Sequence, residues 1–273
     1  MSQADKAERF RKLHEGPEVL VLPNAWDAAS AAVMADAGAK AVATSSAAVA
    51  WAYGYPDGDV LPVDLVIATI AAAAKAAGAT PLTADIEGGF TDDLDQLAAL
   101  IGRVIDAGAV GINIEDGGRD PQVHARKIAA VKAAAGKAGV PLFINARTDV
   151  YLRGLAQGEA AFEESVRRAA LYVEAGADGV FVPGAADAGL IGRLAANISR
   201  PLNVMGWLGV PKAAELRTLG VRRLSSATNP ARVAYAAMAR AVEAYLRDGD
   251  PDALARAADG APALQQRFSE AAN

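Results

Sequence analysis

Residues 105–117 read IDAGAVGINIEDG: a helix-like ending, a glycine, a run of valine and isoleucine, then two acids and another glycine. Gly108 suits a helix C-terminus, where a left-handed residue ends the helix. The apolar run behind it has the composition of a strand buried on both faces. The same phrase recurs as ADAGAKAVATSS (35–46), AKAAGATPLTADIE (74–87), GKAGVPLFINARTD (136–149), VEAGADGVFVPG (173–184) and RTLGVRRLSSA (217–227). Adding VLVLPNA (19–25) and RPLNVMG (200–206) gives candidate strands starting near residues 19, 40, 80, 110, 140, 178, 201 and 221. Eight βα units in 273 residues predict an α/β fold of the (β/α)8, TIM-like barrel type. The rival, a doubly wound open sheet, lacks a G-x-G-x-x-G after the first strand. The reading is of one domain over residues 1–273, with the barrel at about 18–248 and a C-terminal helical extension at 249–273 that is broken from the barrel by GDP (249–251).

The net charge of −5 argues against nucleic acid or an anionic membrane as partner, because neither gains from an acidic surface. A small molecule is the expected partner. With no cysteine, disulfides, thiolate metal sites and cysteine nucleophiles are excluded. The opening MSQADKAERFRKLHEG reads as a charged helix rather than a secretory leader, and the alanine-rich runs are too interrupted to span a bilayer, so the expected location is cytoplasmic.

A barrel builds its active site at the C-terminal ends of its strands, and several of these strands end in polar residues. Alternation along a strand puts Asp85 with Glu87, Asn113 with Glu115, and Asn145 with Arg147 and Asp149, while Ile112, Ile114, Ile144 and Ala146 turn to the helices. Asn203 joins them from the seventh strand. Asp85, Glu87 and Glu115 carry three negative charges into one mouth, which implies a cation. Hard oxygen donors without cysteine point to Mg²⁺, with Mn²⁺ as the substitute, Asp85 ligating directly and Glu87 and Glu115 acting through water. Gly88 and Gly89 would let the backbone approach the ion or the substrate. Arg147 suits a bidentate contact to a substrate carboxylate or phosphonate, or else a structural ion pair with Glu115 or Asp149. Thr44, Ser45 and Ser46 either offer hydroxyls and N–H groups to a developing oxyanion or cap the next helix. Behind them GYPDGD forms a turn that places Asp57 as a further polar contact. Tyr53 and Tyr55 are proton donors or packing residues, His124 an acid–base group or a solvated helix residue, and His14 structural.

The stretches NAWDAASAAVMADAGAKAVATSS (24–46), GYPDGD (54–59), TADIEGGF (83–90), INIEDG (112–117) and NARTD (145–149), in this order and spacing, resemble the isocitrate lyase and phosphoenolpyruvate mutase superfamily. The resemblance implies an α/β barrel whose C-terminal helix is exchanged between subunits, hence a homodimer or homotetramer. It also implies chemistry in which Mg²⁺ holds an α-oxo acid as its enolate forms. The metal-site acids would fall on Asp85, Glu87 and Glu115, the oxyanion serine on Ser45 with Ser46 beside it, the following aspartate on Asp57 and the substrate arginine on Arg147. Strand ends and resemblance together give an expected substrate-binding set of Thr44, Ser45, Ser46, Asp85, Gly88, Glu115, Asn145, Arg147 and Asn203, with Ser45, Arg147 and Asp57 as the catalytic members.

The departures narrow the activity. The isocitrate lyases carry a catalytic cysteine in a K-K-C-G-H loop after the strand that ends here in Glu115, and this chain has no cysteine. The loop that replaces it, DGGRDPQVHARKIAAV, is shorter than the gating loop of the mutases and phosphonate hydrolases, and Pro183 stands where some members carry a histidine. The expected activity is therefore cleavage of a C–C bond in a small α-oxo or hydroxy di- or tricarboxylate, by retro-aldol reaction or decarboxylation. The alternatives are a phosphonomutase or P–C hydrolase, and a non-catalytic oxo-acid-binding protein.

Overall fold

The structure, a computed structural model, describes residues 1–270; residues 271–273 of the expected extension lie outside the described residues. Nine strands run parallel: β1 (Leu20–Leu22), β2 (Asn24–Ala25), β3 (Val42–Thr44), β4 (Leu82–Asp85), β5 (Gly111–Glu115), β6 (Phe143–Arg147), β7 (Gly179–Phe181), β8 (Leu202–Met205) and β9 (Arg223–Ser225). Neighbours in the sheet follow the order β1-β9-β8-β7-β6-β5-β4-β3-β2. The expected first strand is split at Pro23, which has no N–H to give a ladder. Leu20 pairs with Arg223 on one side of the break and Asn24 with Ala43 on the other, and the Pro23 carbonyl accepts from the Ala43 N–H at 2.9 Å. One interrupted stave thus joins the first and last units of an eight-unit barrel.

The helices are α1 (Gln3–Lys12), α2 (Ala28–Asp36), α3 (Ser46–Ala52), α4 (Val63–Ala76), α5 (Leu94–Asp106), α6 (Pro121–Ala138), α7 (Gly158–Glu174), α8 (Ala188–Asn197), α9 (Ala213–Thr218), α10 (Asn229–Asp248), α11 (Pro251–Ala257) and α12 (Leu264–Glu270). The six glycines of the repeated phrase, Gly38, Gly78, Gly108, Gly139, Gly176 and Gly220, all have positive φ, as helix-ending residues require. The expected alternation holds in β5 and β6: Ile112, Ile114, Ile144 and Ala146 lie in the apolar cluster shared with α4, α5 and α6. Burying each of those isoleucines contributes on the order of 1.5–3 kcal/mol.

The inside of the barrel is unusually polar for a fold whose interior is commonly filled by branched apolar side chains. Asn113 Oδ1 accepts from Asn145 Nδ2 at 2.9 Å and from Arg223 Nη2 at 3.1 Å, while Asn113 Nδ2 donates to Asp85 Oδ2 at 3.3 Å. Arg223 is fully buried, and burial holds its guanidinium down to about 9. The N-terminal end of the barrel is plugged by α1: His14 stacks on Phe143 with centroids 4.1 Å apart, and Phe10 meets both edge-on. Gly111 permits that seating, since a Cβ there would stand 2.8 Å from Phe10 Cε1 and 2.9 Å from Thr83 Oγ1. With one end plugged, only the C-terminal mouth is left to receive a ligand.

Candidate active site

A cavity of about 170 Å³ opens at that mouth. Nearly every strand contributes an inward residue or the one just after its end: Asn24, Ser45, Asp85, Asn113, Arg147, Phe181, Met205 and Ser225, Asn113 lying one inward step before the end of β5. Ser46 and Asp57 reach it from the segment behind β3.

Asp85 closes β4 and is held by its neighbours: its Oδ1 accepts from the Glu87 N–H at 3.1 Å and its Oδ2 from Asn113. Burial, partly offset by Arg147, raises its carboxyl above the ordinary range. The strand ends at Asp85, so alternation does not carry on to Glu87. Glu87 has φ 51° and turns its Oε2 to the backbone N–H groups of Gly58, at 2.7 Å, and Asp59. There it ties the tip of the GYPDGD turn to the end of β4, and burial lifts its carboxyl to about 7. Glu115 is pushed up to about 8, first by burial and then by Asp149, Asp85 and Asp57, against the pull of Arg147.

Arg147 makes both contacts that the sequence left open. It spans Asp149, through Nε at 2.6 Å and Nη2 at 3.1 Å, and Glu115, through Nη1 at 2.5 Å, and it also faces the cavity. Burial opposes its charge, but Glu115, Asp149 and Asp85 together raise it, so the guanidinium stays protonated. Asp149 in turn sits on a buried brace. Its N–H donates to Asp116 Oδ1 at 2.9 Å, and Asp116 Oδ2 accepts from Arg168 at 2.8 Å and Tyr172 at 2.7 Å. A wholly buried acid is thus used to aim an arginine at a cavity.

Ser45 is the N-cap of α3, its Oγ accepting from the Ala48 N–H at 3.5 Å, and it lines the cavity as well. Thr44 is committed elsewhere: its Oγ1 accepts from the Asp85 N–H at 2.8 Å. Asn145 and Asn203 are inside the barrel, bonded to Asn113 and Ser225, and neither lines the cavity. Gly88 lies under an ion pair, since a Cβ on it would stand 2.4 Å from Arg119 Nη1 and 2.5 Å from Asp59 Oδ2. Arg119 bonds Asp59 at 2.8 Å and approaches Asp92 at 3.4 Å, so the short loop after β5 is strapped to the loops after β3 and β4. His124 is neither an acid–base group at the mouth nor a solvated helix residue. It is fully buried, edge-on to Tyr172 at 4.6 Å, and burial lowers it to about 4. Tyr53 bonds Thr69 at 3.1 Å and Tyr55 is exposed; neither lines the cavity.

Several cavity residues escape a reading by strand parity. Phe181 and Met205 end their strands but are apolar, and Leu152 and Trp207 come from loops. Asp59 and Arg119 act through an ion pair between loops that only the fold brings together.

Among the described residues no three carboxylates or histidines stand close enough to hold an ion as placed. The donor set still suits magnesium, which needs one or two carboxylates and keeps its waters. The half-buried Asp85 carboxyl, met by amide N–H groups, is the kind of oxygen donor that ion takes.

A family profile described as phosphoenolpyruvate phosphomutase matches residues 10–246. An uncharacterized protein of Mycobacterium tuberculosis is 37% identical over 245 residues, covering 88% of this chain and 90% of its own length. The 2-methylisocitrate lyase of Bacillus subtilis is 32% identical over 196 residues, 66% of this chain and 60% of that protein. A Burkholderia cenocepacia crystal structure, described as a candidate phosphonomutase, superposes with a TM-score of 0.84 at 41% identity over 88% of this chain and 99% of that one.

Proposed function

The chain belongs to the phosphoenolpyruvate phosphomutase family, a group of magnesium-dependent C–C lyases and mutases, and on that premise we propose that it is a lyase that breaks a C–C bond of a small α-oxo or hydroxy acid through an enolate. The observation that carries this reading is the meeting of Asp85, Arg147, Ser45 and Asp57 around one small cavity at the barrel mouth. Asp85 would hold Mg²⁺, with Glu115 and Glu87 reaching it through water, and the ion would supply Lewis-acid polarisation of the substrate carbonyl. Arg147, aimed by Asp149, binds the carboxylate. The Ser45 hydroxyl, with the Ser46 and Ala47 N–H groups that begin α3 and have no carbonyl within their own helix, would meet the oxygen on which charge develops. The Arg119–Asp59 pair fixes the loop after β5 against the turn behind β3, on the side where longer loops would gate the site.

The direct test is calorimetric titration with Mg²⁺, alongside turnover on a panel of oxo and hydroxy acids. Asp85→Ala is expected to abolish measurable Mg²⁺ binding and to lower kcat/KM at least a thousandfold. Unchanged metal affinity in that variant would sink the assignment. Turnover of phosphonopyruvate but not of oxaloacetate or substituted malates in that panel would favour the phosphonate alternative instead.

The resemblance also led to an expectation of self-association through the C-terminal helices, and this belongs to the same proposal. Within the single chain α12 lies on its own barrel, with Arg267 bonded to Asp36 at 2.9 Å and to the Ala76 carbonyl at 3.2 Å. The support for exchange is α10, on which Ala231 is the only buried residue while Val233, Met238, Val242 and Leu246 are exposed.

A further inference from the structure

The mouth cavity is divided into two unlike sectors. Ser45, Asp57, Asp85, Asn113 and Arg147 come from β3 to β6 and the segments that follow them; Leu152, Phe181, Pro183, Met205 and Trp207 come from the end of β6 round to the end of β8. The apolar sector is held in place. The Arg147 guanidinium carbon lies 5.9 Å from the Phe181 ring centroid, and that of Arg232, from α10, lies 4.9 Å from the Trp207 centroid.

Charge divides the same way. Among the described residues lining the cavity only Asp57, Asp85 and Arg147 are charged, and all three stand in the polar sector. Arg147 is the one cation of this lining and is already shared with Glu115 and Asp149, so with one divalent cation added the polar sector has groups to meet a single carboxylate. A second carboxylate or a phosphonate in the far sector would lie against Leu152, Pro183, Met205 and Trp207, with only the neutral side chains of Asn24, Ser225 and Thr228 at its margin and no cation among the lining residues there, so desolvation is costly. At about 170 Å³ the space equals roughly five or six waters' share of the liquid, so the ligand is small.

We propose that the substrate is a 2-oxo acid with one carboxylate and a short uncharged alkyl far end, specifically a 4-hydroxy-2-oxo acid split into an apolar aldehyde and a smaller oxo acid. This rests on the enolate-lyase reading above and replaces the di- or tricarboxylate expected from the sequence. In the cleavage the bond between carbons 3 and 4 breaks and its electron pair stays on the oxo-acid half as an enolate. The proton of the 4-hydroxyl passes to Asp57, the exposed carboxylate of the lining, and carbon 4 leaves as the aldehyde along the apolar sector. The enolate then takes the proton back at carbon 3, which restores Asp57 and yields the oxo acid, so no oxidant or co-reactant is consumed.

The test uses the full chain in excess Mg²⁺. Calorimetric titration with pyruvate, 2-oxobutanoate and 2-oxopentanoate should show affinity rising about threefold to fourfold per methylene. The dianion 2-oxoglutarate, matched in carbon number to 2-oxopentanoate, should bind about tenfold or more weakly than it. Incubation with 4-hydroxy-2-oxohexanoate should release propanal and pyruvate in equal amounts. Trp207→Ala should reduce the preference for 2-oxopentanoate over pyruvate, and Met205→Lys should shift the preference towards 2-oxoglutarate. Pyruvate binding with no gain along the series, or tighter binding of 2-oxoglutarate, overturns the proposal while leaving the enolate-lyase reading intact. Binding in the expected order without release of propanal overturns the cleavage assigned here. If neither pyruvate nor oxalate binds in the presence of Mg²⁺, the enolate-lyase reading fails and this proposal fails with it.

Discussion

His124 shows how far a side chain's role depends on what surrounds it. Next to Asp120 and Arg126 in the sequence it looks solvated, yet it is buried against Tyr172 and held to about 4 against an ordinary 6.5. The unfolded chain therefore takes up a proton there that the folded chain refuses, and stability is lost as pH falls from 6.5 towards 4. His14, held down to about 3 by burial, acts in the same direction. Glu87 and Glu115, lifted by burial to about 7 and 8, act oppositely, because the folded chain keeps their protons and loses stability as pH rises from 4.5 through those values. The two effects overlap between pH 5 and 6.5, so a difference between variants is the clean measurement. Relative to the native chain, His124→Phe should gain ~2 kcal/mol on going from pH 7 to pH 5. Urea unfolding at the two pH values reads this directly, and parallel profiles would refute it.

Asp116 shows what joins one βα unit to the next. It follows β5, yet its carboxylate caps the Asp149 N–H behind β6 and pairs with Arg168 and Tyr172 on α7. Burial disfavours its charge, but those donors outweigh burial and hold its carboxyl below the ordinary range. Asp116→Ala would leave Arg168 buried with only Glu164 as partner, at 2.6 Å, so a loss of about 3 kcal/mol is expected, towards the lower end for a broken buried pair. Asp116→Asn, which keeps one acceptor oxygen, should cost less. If Asp116→Ala unfolds in urea within 1 kcal/mol of the native chain, the brace has no structural weight. Nothing local in INIEDG reveals this role, because the partners come from residues 149, 168 and 172 and meet only when α7 packs behind β6.

At the level of the whole molecule, the C-terminal helices leave more apolar surface in water than a closed barrel needs to. If α10 is covered by a second copy, the chain should elute as a dimer or tetramer. Met238→Asp with Leu246→Asp should then shift it to the monomer while far-ultraviolet circular dichroism is unchanged. A monomeric native chain at micromolar concentration, by light scattering, would remove the idea. Among the described residues no helix is long and apolar enough to cross a membrane.

The sequence by itself determined the architecture, because the repeated helix–glycine–strand phrase is local information: each glycine ends a helix with a left-handed turn, and each Val/Ile run alternates correctly in the strand that follows. It also determined the chemical character of the mouth, since Asp85, Asn113 and Arg147 lie within β4, β5 and β6 and their parity is readable within each strand. Parity failed one residue past a strand's end: Glu87 leaves β4 with a positive φ and bonds the Gly58 turn, which no alternation rule reaches. Tertiary structure alone decided which donors are free and which are spent. Thr44 is spent on the Asp85 backbone and Asn145 on Asn113, whereas Ser45 remains at the cavity. It also decided that Leu152, Phe181, Met205 and Trp207, which carry no chemistry a motif could flag, form the sector that faces the acids, since specificity of that kind comes from surfaces assembled by closing the barrel.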